Sequence, residues 1–497
     1  RIEGAVAWWP GSPNGQAEVV VVHPDDDRIV LRFASQPLPS SGTLHIYPIK
    51  FLEALRELWE HDTTVRNAQR WLSSFAASDL PHVAALDSSS WPGLRQGQRR
   101  AFGLTRWQRA FLWGPPGTGK TYTLGRVAAQ YLMQCPRSRV LLLSTTNPAV
   151  DEAIAAVDDA LSAAREAGRA NEHSLDWCVR IGSRFIASKY AKRRHLLSDP
   201  DENDVKALVQ LEAQRPEKSD TAAYVAWYEE CERIRARLRR RTTELVEASR
   251  LAAMTTTLAA FQFDQISAFA PFDLIVFDEA SQVGLASAFA LAPLGKQCVF
   301  AGDPRQLSPI VQSTKPAALE WLGRSCFELM NSQHASTSML DEQSRMAPDI
   351  CKVVSGAFYK GALRVAEDAL RDPSWSKVRQ PPPLTTPPSG VVLYPVSAEA
   401  HPFSPRYNGP IRMESARAAA VFARAALRTI TVGDLLIVTP FHSQRAMIRE
   451  QLARIDVRGV TISTVHRAQG SERHTVIFDP VQANSDFFRR TLDANRL

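Results

Sequence analysis

The segment Gly114-Pro-Pro-Gly-Thr-Gly-Lys-Thr121 matches G-x-x-x-x-G-K-[ST] at every fixed position. It lies between the apolar run Phe111-Leu-Trp113 and a stretch of helical spacing, which is the context that the pattern requires. Glycines let backbone N–H groups wrap phosphate oxygens, and the N-terminus of the following helix adds partial positive charge. In the loop, Gly114, Pro115, Pro116, Gly117, Thr118 and Gly119 would cradle the phosphates of a nucleotide such as ATP. Lys120 would reach the β- and γ-phosphates, and the Thr121 hydroxyl would ligate Mg²⁺. Strand, loop and helix in this order predict an α/β fold with a parallel sheet.

A phosphate loop of this kind needs a carboxylate at the end of a neighbouring strand. Leu274-Ile-Val-Phe-Asp-Glu-Ala-Ser281 supplies two. Asp278 would hold the magnesium through water, and Glu279 would orient and deprotonate the attacking water. Gln297-Cys-Val-Phe-Ala301 reads as the next strand, followed by Gly302-Asp-Pro-Arg-Gln-Leu-Ser-Pro309. A loop there lies at the carboxyl edge of the sheet, so Gln306 could bond the γ-phosphate or the water. Val140-Leu-Leu-Leu143 is a further apolar run, as expected of strands buried on both faces.

The rest of the chain divides around this core. Residues 1–88 read as an accessory β-barrel and stalk. Glu18–Val22, the Pro24–Asp27 turn and Arg28–Phe33 form a hairpin pattern, Leu44–Tyr47 is another short strand, and residues 51–75 have helical spacing. Residues 89–330 read as the first core, interrupted at about 151–250 by charged helical sequence. That insertion has arginine clusters at 235–241 and 192–194, which read either as a solvated helix face or as phosphate contacts. Residues 331–497 read as a second α/β core. Its apolar runs are Val391–Tyr394, Asp434–Val438, Val460–Ile462 and Thr475–Phe478, with a helix over 413–428 and a proline-rich connection at 380–388.

Composition narrows the class. With 44% hydrophobic and 22% charged residues over 497 positions, a buried core is feasible and bulk disorder is excluded. The net charge of +7 favours a polyanionic partner, mildly. None of the six cysteines forms a C-x-x-C pair or has zinc-ligand spacing, so reduced thiols and a cytoplasmic location are expected, nucleoid-associated if the source is bacterial. No apolar run reaches the ~18 residues of a membrane span.

In order and wording, these motifs resemble those of the superfamily-1 helicases, in the branch of the nonsense-mediated-decay RNA helicase and its DNA-helicase relatives. Leu94-Arg-Gln-Gly-Gln98, with Ala101, is similar to the family's glutamine motif, which implies that Gln98 reads the adenine. Ser144–Asp151 and Met254–Thr257 resemble two strand-contacting motifs, and Val438–Gln444 a third. The resemblance makes Thr145, Asn147, Thr256, Thr439 and Pro440 candidate contacts to a phosphodiester backbone, as small hydroxyls and amides suit. Leu340–Pro348 resembles the arginine motif, with Arg345 as an arginine finger on the γ-phosphate. The family usually has an aromatic before this arginine, stacked on the adenine, and here Ser344 stands in its place. Thr464–Glu472 resembles the motif that touches both ligands, which adds Thr464 and His466 to the strand contacts and Glu472 as the ribose partner. A final motif with a second arginine would follow Asp493–Leu497, so the native chain is expected to continue, with further domains or protein partners at either end.

The resemblance implies two tandem RecA-like P-loop cores and an ATP-dependent helicase or translocase on single-stranded DNA or RNA, with 5′-to-3′ travel. The alternatives are an ATP-switched nucleic-acid clamp or sensor that does not unwind, and a P-loop ATPase acting on proteins. DNA and RNA are not distinguished by these residues, because the choice rests on contacts to the 2′-OH.

Overall fold

A computed structural model describes residues 6–8, 16–23, 28–33, 43–47, 51–73 and 86–481, apart from 199, 218–219, 240, 312, 382–384, 386–387, 397–402 and 469. The chain forms two units. The first takes residues 1–114, 119–304 and 308–339, and the second takes 115–118, 305–307 and 340–497.

In the first unit the apolar runs become seven parallel strands. They are β1 (Arg109–Trp113), β2 (Val140–Ser144), β3 (Cys178–Arg180), β4 (Leu251–Thr255), β5 (Phe272–Phe277), β6 (Gly295–Gly302) and β7 (Thr337–Met339), in the order β7-β1-β6-β5-β2-β4-β3. Every residue of β2 and β4 is buried, the pattern of strands covered on both faces. Phe111, Phe277 and Phe300 stack through the middle of the core, with ring centroids 5.6 and 4.9 Å apart. Helix α1 (Lys120–Gln134) leaves the phosphate loop, and α2 (Asn147–Glu166) follows β2. The strands β1 and β2, consecutive in the chain, are separated in the sheet by β6 and β5. Such a reversal opens a crevice at the carboxyl ends of the strands, where ligands bind in this architecture.

The part of the expected insertion that starts at 151 belongs to the core. Val150, Ile154, Val157 and Leu161 recur at helical spacing and are fully buried, so α2 runs to Glu166, and β3 then adds an edge strand. The helices beyond are Glu202–Ala213, Thr221–Arg237 and Thr242–Ala248. In the 235–241 cluster Arg235 pairs with Glu212 and Glu232, Arg237 with Asp204, and Arg241 with Glu244, while Arg239 is exposed. Arg193 pairs with Asp158 and Asp159, and Arg194 with Glu202. This favours the solvated, ion-paired reading of both clusters over phosphate contacts.

Near the N-terminus, strands Val6–Trp8, Gln16–His23, Arg28–Phe33 and His45–Tyr47 form a four-stranded antiparallel sheet. Among the described residues this sheet is what stands for the expected barrel. The stalk is two helices, Phe51–Glu60 and Asp62–Ser73. Trp71 of the second inserts its ring 5.5 Å from Phe289 and 5.9 Å from Phe300, and the Trp71 carbonyl accepts a bond from buried Arg109.

In the second unit β8 (Leu435–Thr439), β9 (Thr461–Thr464) and β10 (Thr475–Phe478) form a parallel sheet in the order β9-β8-β10. Helices α3 (Met413–Ala426) and α4 (His442–Arg454) pack on it through Ala416, Ala420, Ala423, Met447 and Ile448. The expected strand at Val391–Tyr394 is absent. These residues pair with no neighbouring strand among the described residues, so their backbone has no ladder, and Leu393 is 92% exposed. Residues 493–497 lie outside the described residues.

Candidate active site

Two glycines with positive φ shape the loop. At Gly119 the left-handed backbone (φ +76°) is what favours glycine, and a Cβ atom there would sit 2.9 Å from the movable end of the Gln98 side chain. At Gly117 (φ +77°) it would collide with the Cβ of Arg345 at 2.4 Å. The Gly117 carbonyl accepts a bond from the Ser344 N–H (3.1 Å), so the arginine-motif segment and loop residues 115–118 are packed together in the second unit. The buried Thr118 hydroxyl donates to the Pro115 carbonyl at 2.7 Å, which closes the turn. Pro116 is half-buried. In the first unit the Gly114 N–H donates to the Gly302 carbonyl, and Gly119 begins α1 with no side-chain cap. The first amides of α1 therefore keep their capacity to bond an anion.

Lys120 is the first residue of α1. Its Nζ lies 3.0 Å from Asp278 Oδ1 and 2.5 Å from Glu279 Oε1. Desolvation works against the ammonium, but the two carboxylates outweigh it and raise its pKa, so Lys120 is a fixed cation. Burial raises the Asp278 carboxyl, Lys120 opposes this, and the neighbouring Glu279 charge adds to it; the net direction is upward. With both acids ionised beside one ammonium, this carboxyl edge of the sheet would offer a divalent cation a net negative charge.

Glu279 adopts φ +52°, in the left-handed region, at a cost on the order of 1–3 kcal/mol for a non-glycine residue. The turn is held on both sides. The Asp278 N–H donates to the Leu143 carbonyl, the Glu279 N–H donates to Asp278 Oδ1, and Gln282 Nε2 donates to Glu279 Oε2 at 3.4 Å. The strain turns the Glu279 carboxylate to Lys120 beside that of Asp278, as an extended continuation of β5 would not.

A magnesium ion fits these donors. No group of three or more histidine, cysteine or acidic side chains that could hold a metal occurs among the described residues. The chain would therefore offer the half-buried Thr121 hydroxyl and the Asp278 carboxylate, leaving the other positions to water and phosphate, as is usual for magnesium.

Gln98 is buried on the helix Gln96–Ala101, and its Oε1 accepts the Arg95 N–H at 3.0 Å. Gln306 is half-buried in segment 305–307 of the second unit, and Asp303, in the first, accepts a bond from Trp113 Nε1. Exposed Arg345 forms an ion pair with Glu472.

Three residues that hold the arginine motif, one within it and two outside it, have no role in the sequence reading. Gln343, fully buried, accepts the N–H groups of Arg345 (2.8 Å) and Met346 (2.7 Å). Trp375 Nε1 and Arg379 Nη2 both donate to the Ser344 carbonyl, at 2.6 and 2.9 Å, and the Arg379 guanidinium lies over the Trp375 ring. Gln343 could have been found from its place beside Arg345. Trp375 and Arg379 come from some thirty residues away in an unremarkable segment and carried no signal.

The strand-contact candidates divide. Asn147 and Pro440 are half-buried. Thr256, Thr439 and Thr464 are buried, and the hydroxyls of Thr145 and Thr439 are enclosed without a hydrogen-bond partner. Contact with a strand at those threonines would have to come from the main chain or follow a local rearrangement. The His466 side chain lies outside the described residues.

Two family models, each described as an AAA domain, match residues 93–314 and 322–494. The DNA-binding protein SMUBP-2 of Rattus norvegicus is 27% identical over 434 residues, 82% of this chain and 41% of that protein. A regulator of nonsense transcripts 1 homolog of Arabidopsis thaliana is 24% identical over 379 residues, 75% of this chain and 28% of the relative. Helicase SEN1 of Saccharomyces cerevisiae is 26% identical over 225 residues, 43% and 10%. The chain spans less than half the length of each of these relatives. With both AAA-domain models matched in tandem around the phosphate loop and the arginine motif, the chain belongs to the superfamily-1 helicases, in the branch of the regulator of nonsense transcripts 1 and SMUBP-2.

Proposed function

We propose that the chain is the ATP-hydrolysing motor of a helicase or translocase that moves 5′-to-3′ along single-stranded DNA or RNA. The observation that carries this is the placement of Lys120 Nζ against both Asp278 and Glu279 at the carboxyl edge of the first sheet. Lys120 and the uncapped amides of α1 would bind the phosphates. Glu279 would orient and deprotonate the attacking water, with Gln306 beside the γ-phosphate. Arg345 would neutralise the charge that develops on the transferred group, and Gln98 and Glu472 would hold the adenine and the ribose. Thr121 and Asp278 would hold magnesium, which would neutralise phosphate charge. Loss of the γ-phosphate removes the anion on which Lys120 and Arg345 act, and a motor cycle needs such a change in contacts.

A cytoplasmic location belongs to the same proposal. All six cysteines are free thiols, and no helix among the described residues is long and apolar enough to cross a membrane.

Streptavidin displacement from oligonucleotides biotinylated at one end tests the direction. ATP-dependent displacement from the 3′ end is expected. Displacement from the 5′ end alone would overturn the polarity. Strand-stimulated ATP turnover with no displacement at either end, and no duplex unwinding, would favour the ATP-switched clamp.

A further inference from the structure

The first strand-contacting motif is built around a buried network whose consequence lies at Asn147. Arg180, at the end of β3, and Asp151, on α2, have fully buried side chains joined by Arg180 Nε to Asp151 Oδ1 at 2.9 Å. Arg180 Nη2 donates to Asn147 Oδ1 at 2.7 Å and to the Arg184 carbonyl at 3.0 Å, and Nη1 donates to the Ile181 carbonyl. Asp151 accepts two further bonds, from the Tyr190 hydroxyl (2.7 Å) and the Ile186 N–H (2.8 Å). A guanidinium has donors only, so the Asn147 atom that faces it is the amide oxygen. The NH₂ is therefore turned away from Arg180, on a half-buried residue in the first turn of α2. The Thr145 hydroxyl is enclosed and the exposed Thr146 hydroxyl caps α2 by accepting the Ala149 N–H, whereas Asn147 is a half-buried amide of this motif held in one orientation by a buried partner.

We infer that Arg180 is a positioning residue for nucleic-acid binding: by holding the Asn147 amide oxygen, it fixes the NH₂ as a donor to a phosphodiester oxygen. Asp151 in turn fixes Arg180, and through Ile186 and Tyr190 it ties the start of the insertion to the same arrangement. This rests on the reading of Asn147 as a strand contact.

The test is fluorescence anisotropy with fluorescein-labelled oligothymidylate and oligouridylate, beside thermal unfolding. In Asn147→Asp the carboxylate can still accept from Arg180, so the unfolding midpoint should hold. The atom turned away from Arg180 becomes an anionic acceptor, and strand affinity should fall roughly tenfold or more. Arg180→Lys keeps the charge beside Asp151 but loses the planar fork. It should weaken strand binding in the wild-type background and have little effect on top of Asn147→Ala, because a residue that acts through another is non-additive with it. Equal losses in the two backgrounds would reduce Arg180 to a purely structural role and overturn the inference. So would wild-type affinity in a folded Asn147→Asp protein, a readout that stands even if Arg180→Lys fails to fold. Failure of the wild type to bind either oligonucleotide would instead remove the underlying reading of Asn147.

Discussion

Lys120, Asp278 and Glu279 place three charges within hydrogen-bond distance, and their chemistry can be separated by substitution. Glu279→Gln preserves size and can still accept a hydrogen bond, but it cannot take a proton from water. ATP turnover is expected to fall by about 10²–10⁴-fold while nucleotide affinity, followed with a fluorescent ATP analogue, changes little. Equal loss of affinity and turnover would instead make Glu279 a binding residue. A different carboxylate offers a test of stability. Asp479 is buried after β10, where Gln444 Nε2 and Ser415 Oγ donate to it at 2.6 and 3.0 Å. Burial raises its pKa above the ordinary 3.8, and these donors only partly oppose the shift. The folded state therefore takes up this proton more readily than the unfolded chain. Stability from this group should rise as pH falls from neutral through the raised pKa toward the ordinary carboxylate range. Denaturant unfolding of the wild type and Asp479→Asn, compared at several pH values, should show the wild type gaining on the variant as pH falls; a constant difference would contradict the shift.

At the scale of elements, the sequence carried most of what periodicity and loop chemistry can specify. The phosphate loop, the strand ending at Phe277 and the helix after Arg412 lie where apolar spacing and glycines put them, because each is decided by nearby residues. Val391–Tyr394 was misread for the converse reason: an apolar run predicts a strand only if a neighbour supplies its ladder, and the sequence does not name the neighbour. Residues 151–166, all within α2, likewise read as insertion in the sequence, although Ile154 and Val157 are fully buried. Buried side-chain networks are less legible still. Nothing near Asn147 in the chain announces Arg180, and nothing near Ser344 announces Trp375, since these pairs meet only once the chain has folded. The stalk shows how far one such contact reaches. Trp71 packs on Phe289 and Phe300 in the core of the first unit. Trp71→Ala is expected to cost about 3–5 kcal/mol in denaturant unfolding of that unit. A loss below about 1 kcal/mol would mean that the stalk is only loosely applied to the core.

For the whole molecule, Arg345 is proposed to serve the same turnover as Lys120, Asp278 and Glu279. Arg345→Ala should lower turnover by about 10³-fold or more while nucleotide affinity stays within several-fold, since an arginine finger acts chiefly in the transition state. Unchanged turnover would assign Arg345 only to its pair with Glu472. The central claim is that hydrolysis at the first unit is tied to a nucleic-acid strand. It is tested most directly by steady-state ATP hydrolysis with and without single-stranded DNA and RNA, in the wild type and Glu279→Gln. Turnover that rises strongly with one polymer and is abolished in the variant is the expected result, and it would name the track. Turnover indifferent to both polymers would contradict a nucleic-acid motor and leave an ATPase with a different client.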